Sequence, residues 1–134
     1  MPQLAETTIM GRIRRDIETD GRQCWTLFDS GARNSYIARR AVGGLDTSSL
    51  TNPDSVRLGG GKHVIGEVCN VQARLDGHPF HFQARVLDEI GHDEDGREID
   101  VLFGALAMQE WSIRLDLKNE RLDLSHFTTE FLEF

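Results

Sequence analysis

No long hydrophobic run interrupts the 134 residues. The apolar stretches are a few residues each, well short of the ~20 needed to cross a bilayer as a helix. Met1 to Arg15 holds no apolar stretch ending in small residues, so no secretory signal is expected. Basic charge is in short supply too: 15 Lys+Arg stand against 22 Asp+Glu, a formal net charge of −7. That balance argues against nucleic acid or an anionic membrane as a partner, since both need a basic face. There are two cysteines, Cys24 and Cys69, and no C-x-x-C pattern. Two reduced thiols are expected, with a bridge as the alternative. Together these features point to a cytoplasmic protein. Also missing are a Ser-His-Asp arrangement, a dinucleotide fingerprint and the Lys-Ser/Thr ending of a phosphate loop.

What remains is an ordinary globular composition, 39% hydrophobic and 28% charged. The length suits one domain over residues 1–134, with a core at about 12–124 and a flexible or interface tail at 125–134. A chain this small has little room for a deep private pocket, so an enzyme site would be shared between copies.

The prevailing period is two, which predicts strands. Ile9 to Ile17 and Gln23 to Phe28 flank Asp20-Gly21, a pair suited to the positive φ of a tight hairpin turn. Val68 to Leu75 and Phe80 to Leu87 flank Asp76-Gly77 in the same way. A third hairpin sets Ile113, Leu115 and Leu117 against Leu122 and Leu124 across Lys118-Asn119-Glu120. Short strands in such a series predict an all-β barrel or sandwich. Gly104 to Trp111 is rich in helix formers and predicts a short helix; Ser35 to Val42, capped by Asn34 or Ser35, is a second candidate. Ile90 to Glu98 reads as an acidic loop, and Thr128 to Phe134 as a tail carrying Phe131, Leu132 and Phe134. Trp25 and Trp111 read as core residues.

Three segments carry possible chemistry. The apolar strand Trp25 to Phe28 runs into Asp29-Ser30-Gly31-Ala32. A carboxylate at the edge of a core needs donors, and the Gly31 N–H and the Ser30 hydroxyl are at hand. Val56 to Ile65 forms a hairpin whose tip is Gly59-Gly60-Gly61. Three glycines cost entropy in a static turn, and they suit a cover that approaches a ligand closely. Val101-Leu102-Phe103-Gly104 is an apolar strand exit before the short helix.

This ordered trio resembles the retropepsin-like aspartic proteases, the retroviral enzymes and their single-domain relatives, over Arg12 to about Leu124. The resemblance implies a small closed β-barrel with one short helix, active as a two-fold homodimer. It implies an aspartic endopeptidase whose catalytic residue is Asp29, supported by Ser30, Gly31 and Ala32. Gly59, Gly60 and Gly61 become a flap over an extended peptide, and Leu102, Phe103 and Gly104 the structural support behind the site. Ser30 would brace its counterpart across the interface. No cofactor and no metal are implied. The chain departs from the retroviral pattern in Ser30, where Thr is usual, in Arg33-Asn34, where acidic residues are common, in Ala105, where a polar residue is frequent, and in the extended loop 91–98. It carries one Asp-Ser-Gly, hence half a dyad per chain.

Another class of function fits the same residues, a non-catalytic peptide-binding or scaffold dimer of this fold. A metal site is a weaker fit. His78 and His81 stand three apart in a strand and point to opposite faces, and His92-Asp93-Glu94-Asp95 lacks the spacing of a calcium loop. His63 and His126 read as surface or hairpin residues.

Overall fold

A computed structural model describes residues 11–133. The expected start of the first strand at Ile9 lies outside that range. Strands cover 55% of the described residues and helices 9%. In order the elements are β1 (Arg12–Thr19), β2 (Arg22–Asp29), β3 (Tyr36–Ala38), α1 (Arg39–Val42), β4 (Asp46–Leu58), β5 (Gly61–Leu75), β6 (His78–Leu87), β7 (Val101–Phe103), α2 (Ala105–Trp111), β8 (Arg114–Asp116) and β9 (Arg121–Asp123).

The hairpin turns follow from local chemistry. Asp20 and Gly21 both have positive φ, 53° and 72°, as do Asp76 and Gly77, at 50° and 81°. Two residues of positive φ match the right-handed twist of the strands they join. Each turn therefore fixes a register: Thr19 pairs with Arg22 and, seven pairs further on, Arg12 with Asp29.

Seven strands form one sheet in the order β1-β2-β7-β3-β6-β5-β4, and β8 pairs with β9 apart from it. An extra contact joins β1 to β5 through Glu18–Arg74 and Thr19–Ala73. The short β7 lies between β2, to which it is parallel, and β3, to which it is antiparallel. That insertion brings the exits of β2 and β7, Asp29 and Gly104, side by side.

Alternation along the strands divides the apolar side chains between two clusters. Cys24, Phe28, Val101 and Phe103 face a larger core with Phe80, Phe82, Met108 and Trp111. Phe103 is its hub: its ring centroid lies 5.2 Å from Phe28, 4.8 Å from Phe82 and 5.6 Å from Phe80. Leu27 and Leu102, one residue out of phase, face a smaller core with Tyr36, Ile65, Leu87 and Ile99. That smaller core lies beneath the candidate site.

Two helices are present where one was expected of the fold, and the first is much shorter than Ser35 to Val42. Tyr36 to Ala38 is a buried strand, leaving four residues, Arg39 to Val42, in α1. Tertiary pairing overrides local propensity here: Tyr36 and Ile37 fill a slot between β6 and β7 that an exposed helix could not. Ser35 caps no helix; its hydroxyl accepts the Gly104 N–H at 3.0 Å. Trp111 is core as expected. Trp25 is half-buried instead, its indole N–H donating to Asp93 at 2.9 Å and its ring covered by the Arg97 guanidinium at 3.9 Å. Cys24 and Cys69 are free, buried thiols, and burial pushes both above the ordinary thiol range.

The tail turns back on its own chain. Thr128 N–H donates to the Trp111 carbonyl at 3.0 Å, and Phe127 and Phe131 stack on and abut the Trp111 ring. Leu132 beyond them is 91% exposed. No helix among the described residues is long and apolar enough to cross a membrane.

Candidate active site

Asp29 ends the apolar strand β2 and is buried. A carboxylate in such a position is costly without donors, and two are present. The Gly31 N–H donates to Oδ1 at 2.8 Å. Arg12 Nε lies 3.3 Å from Oδ2, reaching across from the paired position on β1.

The rest of the loop is held by backbone hydrogen bonds. Ala32 N–H donates to the Asp29 carbonyl at 3.2 Å, closing the turn. Ser30 N–H donates to the Gly11 carbonyl at 3.0 Å, and Gly11 N–H returns a bond to the Ser30 hydroxyl at 2.8 Å. Ser30 is thus engaged within its own chain.

Helix α2 clamps the far side of the loop. Ala105 N–H donates to the Ala32 carbonyl at 2.7 Å and Leu106 N–H to that of Arg33 at 3.1 Å. These are first-turn amides that the helix itself leaves without a partner. Gly104 makes the approach possible: a Cβ there would lie 2.2 Å from the Asn34 carbonyl oxygen and 2.8 Å from that of Ala32.

A cleft of about 590 Å³ opens over Asp29. Leu27, Leu102 and Tyr36 of the smaller core form its apolar floor, and the β4–β5 hairpin with Val56, Leu58 and Gly59 forms the other wall. Of the residues singled out from the sequence, Asp29, Gly31, Ala32, Gly59 and Leu102 line this one cleft. Ser30 lines a neighbouring groove of about 520 Å³ against α2. Phe103 and Gly104 are buried behind the loop.

The glycine tip is smaller than expected. Gly59 and Gly60 form its turn, with φ of 56° and 85°, whereas Gly61 opens β5 opposite Leu58. The two-residue turn and the ladder close the hairpin before the third glycine is needed.

Reading the sequence missed Arg12, Arg57, His63, Glu89 and His92, all of which line the cleft. Arg12 carried a usable signal. A two-residue turn at Asp20-Gly21 puts it opposite Asp29 by counting alone. Arg57 and His63 come with the Val56–Ile65 hairpin already singled out, whereas Glu89 and His92 are brought to the cleft by the fold alone.

The weaker metal candidates have other work. Asp93 Oδ1 accepts the N–H groups of Asp95 and Arg97, both at 2.9 Å, while Oδ2 accepts the Trp25 indole. Partial burial pushes this carboxyl up, and the bonds from Arg97, Trp25 and Asp95 outweigh it, leaving the group below its ordinary value. His78 stacks on Phe127 at 4.7 Å, and the exposed His81 gives its carbonyl to the Trp111 indole. No group of three or more potential metal ligands occurs among the described residues.

No protein-family model matches the sequence, and no curated protein matches it. The fold does match a solved structure, the retroviral protease-like domain of Ddi1 from Leishmania major. The TM-score is 0.60 at 19% identity, over 87% of this chain and 90% of that one. The fold is therefore of the retroviral protease-like kind.

Proposed function

We propose that the protein is an aspartic endopeptidase, a small β-barrel closed through β1 and β5, that works as a two-fold homodimer with Asp29 from each subunit meeting at the axis. The observation that carries this reading is the placement of Asp29: buried, oriented by the Gly31 N–H, and facing a cleft bounded by a glycine-tipped hairpin.

One chain brings one carboxylate, and peptide hydrolysis of this type needs two that share a proton. The ionised Asp29 takes a proton from water as the oxygen attacks the scissile carbonyl carbon. The protonated Asp29 of the other subunit hydrogen-bonds the carbonyl oxygen as it gains negative charge. Collapse of the tetrahedral intermediate breaks the C–N bond, and the nitrogen leaves with a proton from the dyad. Gly31 fixes the plane of the carboxylate, Ser30 and Ala32 shape the loop, and Leu102, Phe103 and Gly104 support it from behind. The hairpin at Gly59-Gly60-Gly61 acts as the flap, receiving an extended peptide by strand addition. No cofactor takes part, and the cytoplasm is the proposed location.

The second reading, a peptide-binding dimer that cleaves nothing, draws on Arg12. Its guanidinium occupies the Oδ2 side of Asp29, where an attacking water needs its proton acceptor.

A mixed peptide library incubated across an acidic to neutral pH series tests both readings. Cleavage that peaks at acid to mildly acid pH and vanishes in Asp29→Asn supports the protease. Cleavage that survives Asp29→Asn overturns it. Peptide binding without cleavage selects the second reading.

A further inference from the structure

The cleft is basic in a chain whose formal net charge is −7. Most arginines away from the cleft are engaged: Arg14, Arg15, Arg39, Arg40, Arg85 and Arg97 each hold a carboxylate, and Arg22 and Arg74 donate to the backbone carbonyls of Ala41 and Gly77. Arg33 and Arg57, which both line the cleft, have no such partner among the described residues. Arg12, also at the cleft, is paired with Asp29 itself. Among the described residues, Glu89 is the one other carboxylate on the lining.

The hairpin wall repeats the pattern. Arg57 on β4 stands directly opposite Lys62 on β5. Like charges at opposed positions of an antiparallel pair destabilise it. The nearby Asp54 does not relieve them, since its carboxylate accepts Arg85 Nε at 3.0 Å. On the other side of the cleft, Arg33 sits four residues after Asp29, its carbonyl held by the Leu106 N–H. Its position is fixed while its side chain is exposed.

We infer that the cleft selects acidic peptides, with Arg33 and Arg57 pairing to Asp or Glu side chains that flank the peptide segment lying over Asp29. The inference rests on the peptide-cleft reading above and names its substrate class. In a two-fold dimer Arg33 occurs twice, once on each side of the scissile bond, so acidic residues are selected on both sides. Electrostatic complementarity of this kind acts on specificity and on the rate of encounter, and it weakens with salt.

The test uses the Asp29→Asn protein, which cannot turn a peptide over. Fluorescence anisotropy follows three extended peptides of one sequence, carrying Glu, Gln or Lys at the same flanking positions. At low salt the Glu peptide is expected to bind about tenfold more tightly than the Gln peptide, the scale of a charge-assisted contact near a protein surface. The preference should collapse in Arg33→Gln/Arg57→Gln and shrink with added salt. Equal binding of the Glu and Gln peptides, tighter binding of the Lys peptide, or a preference untouched by the double variant overturns the inference. Should the double variant fail to fold, the peptide series and its salt dependence still decide. Because the readout is binding, acidic selectivity without cleavage by the wild type sinks the protease reading alone. Cleavage without acidic preference sinks this inference alone.

Discussion

Arg12 and Asp29 form the final pair of the β1–β2 ladder, and the guanidinium Nε stands 3.3 Å from the carboxylate Oδ2. The other oxygen, Oδ1, is held by the Gly31 N–H. Two donors on two different elements thus set the carboxylate plane. Because the Arg12 side chain is 70% exposed, the pair adds little to stability, about 0–1 kcal/mol.

Arg12→Gln should therefore leave the melting temperature within a few degrees. A carboxylate with one anchor is free to turn out of its reactive orientation, and small misplacements of a reacting group are expensive. The expected result is a fall in kcat of about tenfold with KM little changed. Steady-state kinetics beside a thermal melt check it. A large rise in KM at unchanged kcat would make Arg12 a substrate-binding residue instead, and a rise in kcat would mean that the guanidinium blocks Oδ2, as the second reading has it.

Gly104→Ala should damage both the fold and the site. The new methyl would sit 2.2 Å from the backbone carbonyl of Asn34, which has no flexible end to swing aside. Either α2 or the 32–34 loop must shift, breaking the Ala105–Ala32 and Leu106–Arg33 bonds that seat the Asp29 loop. Overpacking of this sort costs about 1–3 kcal/mol. Denaturant unfolding should show that loss together with a fall in activity. A variant as stable and active as the parent would mean the loop is not clamped there.

The acidic loop should loosen at low pH. Asp93 is held below the ordinary aspartate value, since the N–H and indole donors outweigh burial. A carboxyl depressed in the folded state stabilises above its unfolded value of 3.8, and that contribution disappears as pH falls below it, through the folded value. Protonation weakens acceptance of the Trp25 indole and of the Arg97 and Asp95 amides. Trp25 fluorescence should therefore change below about pH 4 while it stays flat through the mildly acid range. Asp93→Asn should show a loosened loop at every pH. A transition centred well above pH 4 would assign the change to another group.

The legible parts of the fold were those written in neighbouring residues. Asp20-Gly21 and Asp76-Gly77 announced their turns, the alternation in Val71, Ala73 and Leu75 announced its strand, and Gly104 to Trp111 its helix. Asp29, Gly59 and Leu102 were legible as separate motifs, and the cleft brings them together. Tyr36 to Ala38 was misread because its strand character comes from β6 and β7, partners roughly 50 to 65 residues away. The basic lining was hidden for a related reason. Arg33, Arg57 and Arg12 lie far apart in a chain of acidic composition, and only the fold gathers them at one cleft.

The proposed shared site makes its strongest prediction when active and inactive chains are mixed. With Asp29 supplied once per chain, a dimer holding one Asp29→Asn subunit has a single carboxylate and no dyad. Equal amounts of wild-type and Asp29→Asn chains, allowed to exchange, should leave about one quarter of the dimers fully wild type by random pairing. Activity per wild-type subunit should then drop by about half, and further as the variant is added in excess. Diluting the wild type alone should lower its specific activity as dimers dissociate, with sedimentation velocity tracking the same transition. A single-chain site behaves otherwise: the variant is a bystander and dilution changes nothing. Undiminished specific activity in both experiments would overturn the shared dyad.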